Sequence, residues 1–224
     1  MTLLKKTCAI ALTAAIALGT ALTFTNSVQA QSLQPVVQKH QTYLVNGLAS
    51  VMPFVGYGFN NLQSKLHNAR HYDYATPVEG RIAIQPLVLS DIKRQYAKDP
   101  SVLINLVGIS YGANIVTNLA AQLNRAGIPV NYLAVLDGPM LSRITPNVHR
   151  VDNFVCRQIG CIGQHARLSN GNKVTLHQEF KMPTTHIALG DNPEVHQRII
   201  GQLTAYPMLV AGQPIDTMHT AAIQ

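Results

Sequence analysis

A Gly-x-Ser-x-Gly stretch at positions 108–112 constrains the fold of this chain more than any other feature. The apolar run 102–107 before it is typical of a buried strand, and this run stops at Gly108. The segment after it repeats apolar residues at the spacing of one buried helix face: Ile115, Val116, Leu119, Ala120 and Leu123. A tight turn between strand and helix leaves no room for a Cβ at the two glycines. The pattern therefore predicts that the hydroxyl of Ser110 is held beyond the end of a strand.

A serine in this position is typical of a nucleophile elbow. The backbone N–H of Tyr111 would lie at the start of the helix, where free amides and the helix dipole stabilise a negative oxygen. The alternative is a glycine-rich turn with an inert serine, because three fixed positions also match by chance. Its place between a strand and a helix favours the elbow.

The first 30 residues have the features of a secretory signal peptide. Lys5 and Lys6 precede an uncharged, mostly apolar run, and small residues lead to Ala30. The alternative is a membrane anchor, which the shortness of the run disfavours. We predict cleavage after Ala30 and export to the periplasm or beyond the cell.

The rest of the chain, residues 31–224, is predicted to form one domain with its core at about 42–204. Loss of the two leader lysines lowers the formal net charge from +7 to +5. The remaining basic residues are scattered, so we expect no nucleic-acid partner. No later segment is apolar enough to anchor the chain in a membrane. The oligomeric state is left open.

Two cysteines, Cys156 and Cys161, follow the predicted leader. In an oxidising compartment, an isolated pair this close in sequence predicts a local disulfide that closes one loop. Metal binding would need suitable histidines, and redox catalysis favours the Cys-x-x-Cys spacing. We therefore predict a structural disulfide and expect no metal and no cofactor.

Strand and helix patterns alternate along the chain. The predicted strands are 42–45, 71–74, 102–107, 130–136 and 149–155, and the predicted helices are 59–66, 84–96, 111–126 and one beginning at Pro193. This alternation predicts an α/β fold, with a mainly parallel sheet and helices on both faces. Asn170-Gly171, followed by Val174-Thr175-Leu176, also suggests a small hairpin.

A serine nucleophile needs a base, and a third group must orient that base. In this topology the chain order is Ser, acid, His. Asp137 follows the strand 130–136, and catalytic groups of parallel sheets gather at the carboxyl ends of strands. A turn-forming role before Gly-Pro is the alternative for Asp137, and Asp152 is the reserve acid. His186 precedes the last helix and is the predicted base, with a structural histidine, His177 or His219 as alternatives.

The second oxyanion donor is expected in the loop after the first strand, from the backbone of Leu48 or Ala49. An ordinary strand-end turn is the alternative there. Four residues are candidates to line an apolar acyl site, although core packing competes for each of them: Phe54, Tyr57, Met140 and Leu141.

Three segments resemble the α/β-hydrolase superfamily: LVGISYGAN, VNYLAVLDGP and PTTHIALGDNPEVHQRIIGQL. More narrowly, they are similar to small exported bacterial lipase- or thioesterase-like hydrolases, over most of residues 42–204. The resemblance implies Ser110 as nucleophile, Asp137 as acid and His186 as base. It also implies a small-molecule or lipid-like acyl substrate, a carboxylic ester or thioester. Many relatives have His before the nucleophile and His-Gly at the oxyanion loop, where this chain has Ile109 and Asn46-Gly47.

Two other classes remain open on the sequence. A binding protein could keep this fold without turnover, because a fold alone never proves activity. A metal hydrolase is the weaker alternative, suggested by His67 and His71 four positions apart on a possible helix.

Overall fold

One sheet of six strands organises the described part of the chain. The structure is a computed structural model and describes residues 39–48, 50 and 57–204. The strands are β1 His40–Val45, β2 Ala69–Tyr72, β3 Leu103–Ile109, β4 Val130–Leu136, β5 Val148–Cys156 and β6 Leu176–Met182. Their order across the sheet is β2-β1-β3-β4-β5-β6, and every neighbouring pair is parallel. The predicted parallel α/β architecture is confirmed.

Helices cover both faces of this sheet. They are α1 Tyr57–Ser64, α2 Pro77–Glu79, a π-helical turn Gly80–Ile84, α3 Gln85–Lys98, α4 Tyr111–Arg125, a 3-10 helix Ala188–Asp191 and α5 Pro193–Thr204. Because side chains alternate along a strand, Tyr43 and Val45 of β1 share one apolar cluster with α3 and α4. Leu44, between them, belongs to a second cluster with α1 and α5. Two apolar layers thus hold the sheet on its two faces.

The central strand and helix follow the predicted pattern closely. All apolar residues of β3 after Leu103 are buried, and so is the predicted face of α4 with Ile115, Leu119 and Leu123. Full burial of a side chain of this size stabilises the fold by about 1.5–3 kcal/mol. The junction between β3 and α4 is therefore flanked by two well-buried elements.

The predicted hairpin near Asn170-Gly171 is wrong. The chain does turn there, with a φ of 75° at Gly171, but β6 then runs parallel to β5. Two buried side chains explain the direction. Asn172 donates to the carbonyl of Ile144 at 2.9 Å, and Thr175 donates to the carbonyl of Val148 at 2.7 Å. These bonds tie the segment beside the start of β5, so that β6 leaves in the same direction.

The predicted signal peptide, residues 1–30, lies outside the described residues, and export stays a prediction. Among the residues that the structure describes, no helix combines the length and the hydropathy needed to cross a membrane.

Candidate active site

Ser110 lies in a strained turn between β3 and α4. Its φ of 56° and ψ of −128° are outside the regions that a side-chain-bearing residue normally adopts. A Cβ on Gly112 would lie 2.1 Å from the carbonyl oxygen of Val45, and one on Gly108 would lie 2.5 Å from the carbonyl oxygen of Gly112. These contacts leave glycine as the only residue that fits at either position, as the elbow motif requires.

Asp137 follows β4 directly and lies beside Ser110 at the carboxyl end of the parallel strands. Ile109 and Leu136, the last residues of β3 and β4, are paired in register, and the N–H of Ser110 donates to the carbonyl of Leu136 at 2.8 Å. The Asp137 side chain is fully buried. Adjacent strands lie about 4.8 Å apart, so the backbone positions of Ser110 and Asp137 are neighbours.

The carboxylate of Asp137 is held by backbone amides from one later loop. The N–H of Ile162 donates to Oδ2 at 3.0 Å, and the N–H of Gly163 donates to Oδ1 at 3.0 Å. The N–H of Cys156 adds a longer contact of 3.4 Å to Oδ1. A Cβ on Gly163 would lie 2.2 Å from Oδ1. This close approach requires glycine at 163 and orients the carboxylate.

His186 contacts the same carboxylate. Its Nδ1 lies 2.6 Å from Oδ2 of Asp137, and the histidine side chain is 21% exposed. Burial raises the pKa of Asp137, but hydrogen bonds from His186 and Ile162 outweigh burial and bring the pKa below its ordinary value of 3.8. At neutral pH the carboxylate is therefore ionised and only accepts hydrogen bonds. The proton between the two groups then belongs to Nδ1, and in the neutral imidazole this leaves Nε2 as the acceptor.

The third contact of a catalytic triad is not formed in the structure. Within the described part of the chain, the hydroxyl of Ser110 makes no hydrogen bond to His186 or to another residue. Catalytic hydrogen bonds are often long without substrate and shorten when it binds. The pair Asp137–His186 is thus observed, whereas the link from His186 to Ser110 stays a prediction.

The loop after β1 packs against the elbow. A Cβ on Gly47 would lie 2.9 Å from Cβ and 3.4 Å from Oγ of Ser110. The side chain of Asn46 secures this loop through His71 Nε2 at 2.8 Å and Asp73 Oδ1 at 2.7 Å. The pair Asn46-Gly47 is the sequence signal for these two roles. Leu48, a predicted oxyanion donor, packs against the core.

Of the other two predicted oxyanion residues, the structure describes one. Tyr111 is the first residue of α4, which is where an elbow presents its amide. Ala49 lies outside the described residues. The oxyanion site therefore stays a prediction.

Two of the predicted acyl-site residues line different cavities. Met140 is 62% exposed and lines a cavity of about 190 Å³ together with Tyr111. Leu141 lines a larger cavity of about 560 Å³ together with Gly163. Phe54 and the side chain of Tyr57 lie outside what the structure describes. Neither cavity is purely apolar, because arginines contribute to both.

The reserve acid has a different environment. The buried carboxylate of Asp152 accepts from Arg150 at 3.1 Å, from Arg198 at 2.9 Å and from the Tyr132 hydroxyl at 3.1 Å. No histidine is among these partners, so the contacts are those of a structural ion-pair network. His177 lies on the exposed edge strand β6, and His219 lies outside the described residues.

The two histidines behind the metal alternative do not share a helix. Helix α1 ends at Ser64, and His71 belongs to β2. The helical spacing on which that alternative depended is therefore wrong.

The predicted disulfide between Cys156 and Cys161 is present. It closes the loop 156–161, and the amides of Ile162 and Gly163 that bind Asp137 follow this loop directly. The same loop also holds the approach to His186: the backbone N–H of Gln158 donates to the carbonyl of Thr184 at 3.2 Å, and its side chain donates to the carbonyl of Pro183 at 3.1 Å. The sequence predicted the bond as a stabilising clip. The tertiary structure adds that it braces the segments carrying both the acid and the base.

We expect replacement of both cysteines with serine to reduce both the stability of the fold and the turnover of the folded protein. Loss of a disulfide that closes so short a loop costs about 2 kcal/mol of unfolding free energy. Displacement of Asp137 and His186 by about 1 Å should lower kcat by 10-fold to 100-fold, with KM little changed. Steady-state kinetics and urea unfolding of the double variant measure the two effects. Unchanged kcat in the folded double variant would contradict the bracing role.

Solved structures provide the comparison with known proteins, since the chain matches no protein-family model and no curated protein. The structure is similar to that of RedJ, a thioesterase from the prodiginine biosynthetic pathway in Streptomyces coelicolor. The TM-score is 0.50 at 11% identity, and the match covers 80% of this chain and 98% of RedJ.

Two further structures show the same likeness. The product of lin2722 from Listeria innocua has a TM-score of 0.54 at 11% identity, covering 75% of this chain and 95% of that one. The thioesterase domain SrfTE, which cyclises the lipopeptide antibiotic surfactin, has a TM-score of 0.51 at 12% identity, covering 74% and 92%. Identities this low show the fold alone. The chain therefore has the α/β-hydrolase fold, of the kind that thioesterases such as RedJ have.

Proposed function

We propose that this protein is a serine hydrolase that cleaves carboxylic esters or thioesters through an acyl-enzyme on Ser110. The observation that carries the proposal is the 2.6 Å contact between His186 Nδ1 and the buried, ionised Asp137. Asp137 follows β4, and the neighbouring strand β3 leads to Ser110 in its strained turn, which supports the proposal. The likeness to thioesterase structures adds support at the level of fold.

Acylation begins when Nε2 of His186 takes the proton of the Ser110 hydroxyl. The serine oxygen attacks the carbonyl carbon of the substrate, and the electrons of the C=O bond move to its oxygen. The amide of Tyr111 and an amide of the 47–49 loop stabilise this oxyanion, and one such donor is typically worth about 3 kcal/mol. When the carbonyl re-forms, the alcohol or thiol leaves and takes its proton from His186.

Deacylation repeats these steps with water. His186 removes a proton from the attacking water, the second tetrahedral intermediate collapses, and Ser110 leaves with its proton restored. The product is a carboxylic acid. Asp137 holds the imidazole in the tautomer with a proton on Nδ1 and stabilises its cationic form in both halves of the reaction.

A substrate panel tests the proposal. We expect hydrolysis of p-nitrophenyl esters across acyl chains from acetate to palmitate, and of matched thioesters followed by thiol release, with a maximum at one chain length. Rates at the uncatalysed level for every ester and thioester would contradict the proposal. That result would favour the alternative, an α/β-hydrolase-fold binding protein without turnover, which the missing Ser110–His186 hydrogen bond supports.

A further inference from the structure

The cavity of about 560 Å³ beside the proposed acid is basic. Among the described residues its lining consists of Leu141, Arg143, Gly163, Gln164, His165 and Arg167. No Asp or Glu is among them. The nearby carboxylate of Glu179 forms a hydrogen bond with Nδ1 of His165 at 2.5 Å.

The two arginines of this cavity differ from the four arginines that pair with buried carboxylates. Arg70 and Arg94 pair with the buried carboxylate of Asp91, and Arg150 and Arg198 pair with that of Asp152. In the described part of the chain, Arg143 and Arg167 form no ion pair. Arg143 donates instead to the backbone carbonyl of Leu168 at 3.3 Å. Each guanidinium keeps donors for a carboxylate or phosphate, which arginine binds in a two-pronged geometry.

Two residues of the cavity lining contact the segment that carries the proposed acid. The N–H of Gly163 donates to Asp137, and the N–H of Gln164 donates to the carbonyl of Gly138 at 2.8 Å. A third lining residue, Leu141, packs close to Gly138: a Cβ on Gly138 would lie 2.5 Å from the Leu141 side chain. The cavity therefore adjoins the segment 137–138, which follows the strand next to the elbow.

We propose that the cavity is a subsite for an anionic substituent of the substrate, and that Arg143 and Arg167 bind it. The protein then prefers esters or thioesters that carry a carboxylate or a phosphate away from the reacting carbonyl. This inference rests on the proposed hydrolase function. The anionic group belongs either to the acyl part or to the leaving group, and the substrates below distinguish the two.

Matched ester pairs test the preference. Mono-p-nitrophenyl adipate and p-nitrophenyl hexanoate have equal acyl chains and differ in one terminal carboxylate. 4-Acetoxybenzoate and its methyl ester place the same difference on the leaving group. In one of the two pairs, the wild-type protein should hydrolyse the anionic member with a kcat/KM about 10-fold higher. The Arg143→Gln/Arg167→Gln double variant should lose this preference through KM and keep its rate on the neutral member.

Arg125→Gln is the control for the loss of a positive charge far from the cavity. Arg125 is in the last turn of α4, about 20 Å along the helix from the elbow. It should leave both pairs unchanged if binding is local, because exposed charges at this distance are screened. An equal loss of preference in Arg125→Gln, or equal losses on anionic and neutral esters in the double variant, would overturn the subsite.

Calorimetric titration with adipate separates this inference from the hydrolase proposal. We expect adipate to bind the wild type and Arg125→Gln equally, and the double variant at least 10-fold more weakly. If no ester is hydrolysed but this pattern holds, the hydrolase proposal fails and the anion site stands. If neutral esters are hydrolysed and adipate binds all three proteins alike or none, the anion site fails.

Discussion

Replacing Ser110 with alanine should lower kcat on the preferred ester by a factor on the order of 10⁶, the loss typical of a removed serine nucleophile. The hydroxyl is the only group that can form the acyl-enzyme in the proposed reaction. Steady-state kinetics, with single-turnover assays for the variant, measure the loss. Labelling by a fluorophosphonate, which bonds to an activated serine, should disappear in parallel.

This variant should fold normally. The Ser110 hydroxyl has no hydrogen-bond partner among the described residues, so its removal leaves no buried group unsatisfied. Thermal unfolding should agree with the wild type to within a few degrees. Ser90→Ala, at an exposed position in α3, is the matched control and should keep both activity and labelling. Residual labelling of the Ser110→Ala protein would mean that another residue is the nucleophile.

Replacing Asp137 with asparagine should lower kcat by about 10⁴-fold, through loss of the correct histidine tautomer. The carboxylate accepts hydrogen bonds from His186, Ile162 and Gly163. An asparagine offers one acceptor oxygen in this place, and its NH₂ group would face a donor or reverse the tautomer of His186. Buried groups left unsatisfied in this way cost about 1–3 kcal/mol of stability. Kinetics on the folded protein, with urea unfolding alongside, separate the two effects.

Asp152→Asn distinguishes a catalytic from a structural carboxylate. Asp152 is also fully buried, but its partners are arginines and a tyrosine. This variant should lose stability and keep kcat per folded molecule within a few-fold. A loss of kcat as large as that of Asp137→Asn would mean that the assignment of Asp137 as the catalytic acid is wrong.

The lowered pKa of Asp137 adds a pH signature to the same comparison. A carboxyl that ionises more readily in the folded protein than in the unfolded chain stabilises the fold at pH values above its unfolded pKa, and this contribution is lost as the pH falls through the folded pKa. The stability difference between wild type and Asp137→Asn should therefore be constant from about pH 5 to pH 8. It should narrow below about pH 4. If the stability difference between the two proteins is as large at pH 3 as at pH 7, Asp137 is not stabilised as an anion.

Local patterns predicted those parts of the fold whose determinants are close in sequence. The strand 130–136 has the predicted bounds, and α4 begins directly after Ser110. The chain order of serine, acid and histidine, together with the place of Asp137 at the end of a strand and of His186 before the last helix, selected these two residues, and the structure brings them within 2.6 Å. At the edge of the sheet the same approach was less accurate. The strand expected at 71–74 lies at Ala69–Tyr72, because edge strands carry a weaker apolar pattern.

Thus the sequence by itself determined the parallel α/β architecture, the elbow at Ser110 and the pairing of the cysteines, because periodicity, turn chemistry and cysteine spacing act over a few residues. Only the tertiary structure decided which amides hold Asp137, how the disulfide loop braces the His186 segment, and where Arg143 and Arg167 meet in one cavity. The contacts to Asp137 join residues that are 19 to 26 positions apart. No local sequence pattern encodes such contacts, because they depend on the order of the strands in the sheet.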